Sequence, residues 1–443
     1  MIRDNKIKYI RDPIHDVIEI DSDALRIIDT FAFQRLRRIK QMGLGWMVYP
    51  SAEHSRFSHS IGAYHIAQKV IRILTQNSNY IFNEDERKSI LLAALLHDIG
   101  HGPFSHLFES ASEEIRTTFD IKYKFNHANI FKRILEDNNQ LKKAIDKDIL
   151  EKIIKIFSEE YTLQHSIISS QLDVDRLDYL LRDCHFTGAK YGTFDLNWLL
   201  RNFVCGKANK PKEVEGKEVI AINAKKGLSV LEQYIMGRFY MHKHVYYHKA
   251  TRGFESIMVN IFKRIYHIDD KKLIGSEELR KIFNGEFEIE NFLKLDDYVI
   301  FTWMKEWRKN TNDMILKSLI DRIFFRKPLK AIDALFEDKN FKKIDREKDK
   351  IKRLYANKDA NEYLFFWDDP KAVAYKNTYS LKNIIEEIFV LNEKNEIVPF
   401  SWLNNNTIIE SKPSLELQIN KWYVPSYIRG KYLENERGEN GNN

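Results

Sequence analysis

Histidines crowd one end of this chain. Of its 14, eight lie between His15 and His127. The densest run is Leu95-Leu96-His97-Asp98-Ile99-Gly100-His101-Gly102-Pro103-Phe104-Ser105-His106. An apolar helix ends there in an imidazole and a carboxylate side by side, and a glycine-rich turn then presents two more imidazoles. Adjacent helical residues point about 100° apart, yet a His and an Asp at a helix end can both reach one ion. Imidazole suits Zn, Fe, Mn, Ni or Co, and carboxylate oxygen also suits harder ions such as Mg. Alone, the pair also reads as a capped helix end with a hydrogen-bonded histidine.

Two further segments bear on that choice. In Glu53-His54-Ser55-Arg56-Phe57-Ser58-His59-Ser60, Arg56 and His59 are three apart and share a helix face. In the segment from Ser169 to Asp183, helical spacing gathers Asp175, Asp178, Tyr179, Arg182 and Asp183 into one polar stripe. The opposite face carries Val174, Leu177, Leu180 and Leu181. Such a stripe is either solvated surface or the wall of a site. Read together, the segments give the order His, His-Asp, Asp.

That order resembles the HD superfamily of metal-dependent phosphohydrolases. The likeness extends to Gln34-Arg35-Leu36-Arg37-Arg38-Ile39-Lys40-Gln41, His54 to Gly62, His97 to His106 and Asp173 to Asp183. These look like the deoxynucleoside triphosphate triphosphohydrolases of the superfamily, some of which add a SAM domain. The resemblance runs from about residue 7 to 260 and is weak beyond about 270. No SAM domain is expected before a match that begins so early.

The resemblance implies that His59, His97, Asp98 and Asp175 hold one divalent metal (Mn, Fe, Zn, Ni or Co), with Mg accompanying a triphosphate. Such an ion polarises a phosphoryl oxygen and acidifies water. It implies hydrolysis of a dNTP to a deoxynucleoside and triphosphate. His101 and His127, with Glu109 behind them, are then expected to orient or activate the water, and His106 to serve the leaving oxygen. Imidazole titrates near the working pH and suits both tasks. Arg56, Arg176, Arg238 and Lys249, with Tyr246, are expected to meet the phosphates, for which the guanidinium fork is well shaped. The family commonly has Lys where this chain has Arg176. Gln41 and Asp183 match positions that hold a 3′ hydroxyl, while Met42 and Tyr179 would crowd a 2′ hydroxyl. Met42 replaces the more usual Leu. Asp29, Gln34 and Arg37 match positions that read a guanine at an oligomer interface, which implies a dGTP or GTP activator and a homo-oligomer, tetramer or dimer. Helix-end salt bridges are the plainer reading of those three.

The elements that must position these groups are mainly helical. Short extended pieces are predicted over about 7–20, around Asp12-Pro13, because Ile18 and Ile20 alternate with polar residues. Helices are predicted over Phe57 to Thr75, Glu84 to His97, Phe125 to Glu136, Gln164 to Arg182 and about Leu228 to Tyr266. Beyond about Lys271 the composition turns richer in Lys, Asp, Glu and Asn, with apolar patches at Val299 to Trp303 and Ile388 to Leu391. The expected architecture is a helical core over 1–270 with small β additions. An α+β C-terminal region follows over 271–433, a candidate for oligomerisation or regulation. The polar tail 434–443 is expected to be disordered.

Bulk properties narrow the classes. The chain has 443 residues, 43% of them hydrophobic and 30% charged, which excludes global disorder. Net charge is +7, a mild excess that suits anionic ligands and equally a Lys-rich surface. Two cysteines, Cys184 and Cys205, make no disulfide framework. The start carries no apolar signal region, and the most apolar run, Ile90 to Leu96, is far short of the ~20 residues of a membrane span. A reducing, cytoplasmic setting is expected. The competing readings are an HD phosphohydrolase for a nucleoside monophosphate, cyclic nucleotide or ppGpp, and a nucleotide or single-strand nucleic-acid sensor using the aromatic and basic run Arg238 to Arg252. An intact metal set weighs against the sensor; nucleic acid is not an expected partner.

Overall fold

The computed structural model describes residues 7–159, 162–212, 214–333, 341–356, 358–368, 371–376, 387–403, 414–418 and 420–440. It is mainly helical with small sheets. A hairpin of Lys8–Asp12 against Asp16–Ile20 opens it. Ile18 and Ile20 point into the core while their neighbours face out, as strand alternation requires.

The 23-residue helix Arg56–Ser78 and the buried helix that follows it pack together. Arg56–Ser78 lies against Glu84–Leu96, whose first turn carries Glu84, Asp85 and Glu86 and is capped by the Asn83 side chain. Acidic first turns complement the positive helix end. Every residue from Ser89 to Leu96 is buried, which is why this run has no polar face to read as amphipathic.

Two predicted helices prove to be pairs. The expected 164–182 helix is Leu163–Ile168 followed by Val174–Thr187. Asp173 breaks it: one carboxylate oxygen accepts Arg176 N at 2.7 Å and the other accepts Ser170 N at 2.8 Å. That is an N-cap, which starts a new helix. The expected 228–266 helix is Ala224–Met241 and Lys249–Ile268, joined by a π turn at His242–Tyr246. π turns collect at functional sites.

The C-terminal half is interleaved with the rest. Phe389–Leu391 pairs in parallel with Glu218–Asn223, which also pairs with Phe203–Lys207. Lys421–Val424 sits between Lys330–Asp333 and Phe366–Asp368. One buried apolar cluster runs from Ile18 to Ile428. The patch Val299 to Trp303 lies on the Asp297–Asn310 helix with only Ile300 fully buried. Ile388, Phe389 and Val390 are buried.

A helix spans Ser426–Asn440 and so takes in the first part of the polar tail; 441–443 lie outside the described residues. Glu436 meets Lys350 at 2.5 Å, an anchor that composition does not reveal. Both cysteines are free. No helix among the described residues is long and apolar enough to cross a membrane.

Candidate active site

Four expected ligands converge from three helices. His59 lies on Arg56–Ser78, His97 and Asp98 close Glu84–Leu96, and Asp175 is in the first turn of Val174–Thr187. His59 Nε2 is 3.1 Å from His97 Nε2, 2.9 Å from Asp175 Oδ1 and 3.6 Å from Asp98 Oδ2. His97 Nε2 is 3.4 Å from Asp98 Oδ1 and 3.6 Å from Asp175 Oδ1. The opposite ring nitrogens fix the tautomers. His97 Nδ1 lies 2.8 Å from the Ala94 carbonyl, which only accepts, so Nδ1 carries the proton. His59 Nδ1 donates to Asp178 Oδ2 at 2.8 Å. In their neutral forms both Nε2 atoms therefore point lone pairs at each other and at two carboxylates. Only a cation reconciles that arrangement, and a His2Asp2 donor set with ordered outer partners fits a divalent transition metal. In the metal-free protein a proton stands in for it. Burial pulls His59 down, but hydrogen bonds that it donates to Asp175 and Asp178 dominate and push it up to about 10. Burial would raise Asp98, yet Arg56 and His97 hold it well below the usual carboxylate range.

Behind this centre is a buried network that the sequence did not disclose. Asp178 accepts His15 Nε2 at 2.6 Å and Arg182 Nε at 2.8 Å. Arg182 Nη1 reaches Asp12 at 2.8 Å, and Asp12 accepts Ile14 N and His15 N within its own turn. The polar stripe on Val174–Thr187 thus divides: Asp175, Tyr179 and Asp183 line a cavity, while Asp178 and Arg182 face the N-terminal hairpin. Asp178 and Arg182 are fully buried, so the solvated-surface reading fails. Gly62 makes room; a Cβ there would lie 1.9 Å from Asp178 Oδ1. His54, also missed, meets Asp183 Oδ1 at 2.7 Å, and Tyr246 donates to Asp183 Oδ2 at 2.8 Å.

Beside the metal ligands sit His101, His106 and His127 around Glu109. The Nδ1 atoms lie 3.6, 3.3 and 2.8 Å from Glu109 Oε1, respectively. The rings of His101 and His127 stack at 4.2 Å. Gly100 permits this approach, because a Cβ would lie 2.1 Å from the His127 carbonyl oxygen. Phe104 and Ser105 both have positive φ, a strained turn that aims His106. Asp297 accepts Phe104 N at 2.6 Å, and Arg56 Nε donates to Ser105 Oγ at 2.7 Å. Buried Arg35 holds the His101 carbonyl at 2.9 Å. Burial, then Arg56 and His127, push His101 well below the usual imidazole range, which keeps it neutral. Burial would raise Glu109, but His106 and His127 hold it down.

These groups open on a cavity of about 830 Å³. Gln41, Met42, Arg56, Arg176, Tyr179, Asp183 and Tyr246 line it. Arg56 is already tied to Asp98 at 2.6 Å, and Arg176 to Asp173. Lys249 is exposed and is not in the lining, and neither is Arg238, at the end of Ala224–Met241. In that region the lining includes His242, Tyr247, Thr251, Arg252 and Glu255 instead. The π turn after Met241 rotates the helix, which a continuous 3.6-residue period could not foretell. Asp29, Gln34 and Arg37 lie outside the cavity. Arg37 Nε donates to Gln34 Oε1 at 2.9 Å, its guanidinium lies 3.5 Å from the centroid of the Phe57 ring, and Asp29 is exposed.

The HD-domain family profile matches residues 56–183. The chain is 33% identical over 337 residues to the uncharacterised protein YwfO of Bacillus subtilis, covering 74% of this chain and 72% of that one. It is 30% identical over 353 residues to the deoxynucleoside triphosphate triphosphohydrolase SAMHD1 of Bos taurus, covering 72% of this chain but 58% of that protein. The crystal structure of a phosphohydrolase from Bacteroides thetaiotaomicron is 26% identical with a TM-score of 0.75, covering 94% of this chain and 99% of that one.

Proposed function

This chain belongs to the HD-domain phosphohydrolases, and we propose that within them it is a dNTP triphosphohydrolase, releasing deoxynucleoside and triphosphate. The observation that carries this reading is the adjacency of two donor sets at one cavity: His97, Asp98 and Asp175, with buried His59 behind them, on one side, and the His101, His106 and His127 imidazoles on the other. The naming of SAMHD1 relatives supports the substrate class.

A divalent ion held by the first set supplies Lewis-acid charge at the phosphoryl group and acidifies water. The chain does the rest. Asp178 and the Ala94 carbonyl hold His59 and His97 in tautomers whose Nε2 lone pairs would be free for an ion. His101, kept neutral by burial, and His127, held by Glu109, would take a proton from water. His106, with an exposed ring, is placed to give one to a leaving oxygen. Arg56 and Arg176, which line the cavity while paired with Asp98 and Asp173, would meet the phosphates, and Gln41, Tyr179 and Asp183 would line the sugar side. We assign Asp29, Gln34 and Arg37 to a guanine-reading site that works in a homo-oligomer.

A second reading has its own support. Arg56 and Arg176 already pair with Asp98 and Asp173, and Lys249 is outside the lining. Of the other lining cations, Arg252 is held by Asp368 and Lys132 is exposed beside Glu136, so the wall is only weakly positive and favours a less charged substrate, such as a nucleoside monophosphate or cyclic nucleotide. Product analysis decides. Each dNTP, NTP, NMP, cyclic nucleotide and ppGpp is incubated with Mn or Mg, with and without dGTP. Deoxynucleoside plus triphosphate supports the first reading; consumption of only the other nucleotides supports the second.

A further inference from the structure

Glu109 Oε1 is the meeting point of three imidazoles. Its separations from the Nδ1 atoms of His127, His106 and His101 are 2.8, 3.3 and 3.6 Å, and one donor atom from each of the four residues lies within 4.8 Å of all the others. Metal–ligand bonds of about 2.0–2.1 Å in a tetrahedron put neighbouring donor atoms roughly 3.3 Å apart. Hydrogen bonding alone leaves the cluster incomplete. His101 is 1% exposed, and its buried Nδ1 has no hydrogen-bond partner although it is aimed at Glu109. One ion among the four would satisfy that nitrogen and relieve the sharing of a single oxygen.

We propose that His101, His106, Glu109 and His127 form a second transition-metal site, separate from the centre of His59, His97, Asp98 and Asp175, and that filling it turns the enzyme off. Three imidazoles and one carboxylate select Zn, Co or Ni over Mg. The exposed ring of His106 gives an ion its access from the cavity, and buried His101 closes the far side. The two centres are neighbours, since His101 Nε2 lies 3.3 Å from Asp98 Oδ1.

The inhibitory consequence rests on the roles proposed above. With Glu109 as sole partner, an Nδ1–H leaves Nε2 of His127 as a proton acceptor. An imidazole bound to metal through Nδ1 keeps its proton on Nε2. His101 and His127, the two groups proposed to take the proton from water, then both carry a proton on Nε2, and the base is lost.

The test counts metal. Metal-stripped chain is dialysed against excess Zn2+ or Co2+ and bound metal is measured by mass spectrometry. The wild type is expected to hold two equivalents. His106→Ala and Glu109→Ala are each expected to keep one, with the second weakened by more than the roughly 10–100-fold that losing an outer partner costs. Asp175→Ala should lose the other equivalent. His106 is exposed, so His106→Ala separates ligation from folding. A wild type that binds one equivalent, or a His106→Ala chain that still binds two, overturns the site. Product formation that continues with both equivalents bound overturns the inhibition. If no nucleotide is turned over under any condition, the proposed activity fails while the stoichiometry still decides the site.

Discussion

His15 and Asp178 meet at 2.6 Å across 163 residues of sequence, and both side chains are buried. Asp178 uses its other oxygen to hold Nδ1 of His59. The N-terminal hairpin therefore reaches the metal centre at one remove. Outer partners of a ligating histidine typically contribute 10–100-fold in metal affinity. His15→Ala is expected to weaken metal binding by about 10-fold and Asp178→Asn by up to about 100-fold. Chelator competition measures both. Affinity unchanged in His15→Ala would show that the hairpin only packs there.

Direct ligands behave differently. His97→Ala and Asp175→Ala should lose this centre's equivalent of metal and turnover together, because each removes one of four converging donors. Metal analysis and product assays run on the same preparation are the check. Full metal content and activity in His97→Ala would refute the assignment.

Protonation gives a third test. In the metal-free protein His59 is pushed up to about 10, against 6.5 for a free imidazole. A raised value stabilises the folded metal-free state fully below about pH 6.5, and that stability is lost as pH rises through about 10. A metal must displace the same proton, so binding near pH 7 should release at least one proton and tighten as pH rises. Calorimetry in buffers of different ionisation enthalpy measures the release. No proton release at pH 7 would contradict the raised value.

The guanine-reading proposal also has a cost built in. Arg37 is held by Gln34 and packs over Phe57, so a nucleotide must displace an existing pair to use either side chain. Arg37→Ala is expected to abolish activation by dGTP or GTP and leave the basal rate within about twofold, the scale of a surface change. Rates with and without dGTP decide it. Activation that persists in Arg37→Ala removes the site.

What the sequence disclosed follows a physical line. His97 and Asp98 were readable because they are adjacent at a helix end, and His59 and Asp175 because the order of motifs is a family pattern. The mainly helical class was readable from apolar spacing. Asp178 was placed on the right stripe, but spacing on one helix cannot say which neighbour each residue meets. His15 and Asp12 carried no signal, since their partners are far away in sequence. The helix break at Asp173 was available in principle as an Asp N-cap; the π turn at His242–Tyr246 was not. Lys249 and Arg238 fall outside the cavity lining for that reason, while Arg252 enters it.

Arg252 is where the C-terminal half touches the cavity. Its Nε and Nη2 donate to the two oxygens of Asp368 at 2.9 and 2.5 Å, and Nη1 donates to Glu255 at 2.7 Å. Asp368 is buried on the Phe366–Asp368 strand, so this fork ties Lys249–Ile268 to the C-terminal sheet. Removing a carboxylate from a charged hydrogen-bonded pair costs about 1.5–3 kcal/mol. Asp368→Ala is expected to lose about that much in urea unfolding. It also frees Arg252 toward the cavity, where an added cation favours an anionic substrate. The variant should therefore be less stable yet bind substrate at least as well. Equal stability would show that Glu255 alone holds Arg252, and weaker substrate binding would show that the fork positions the wall rather than restrains a cation.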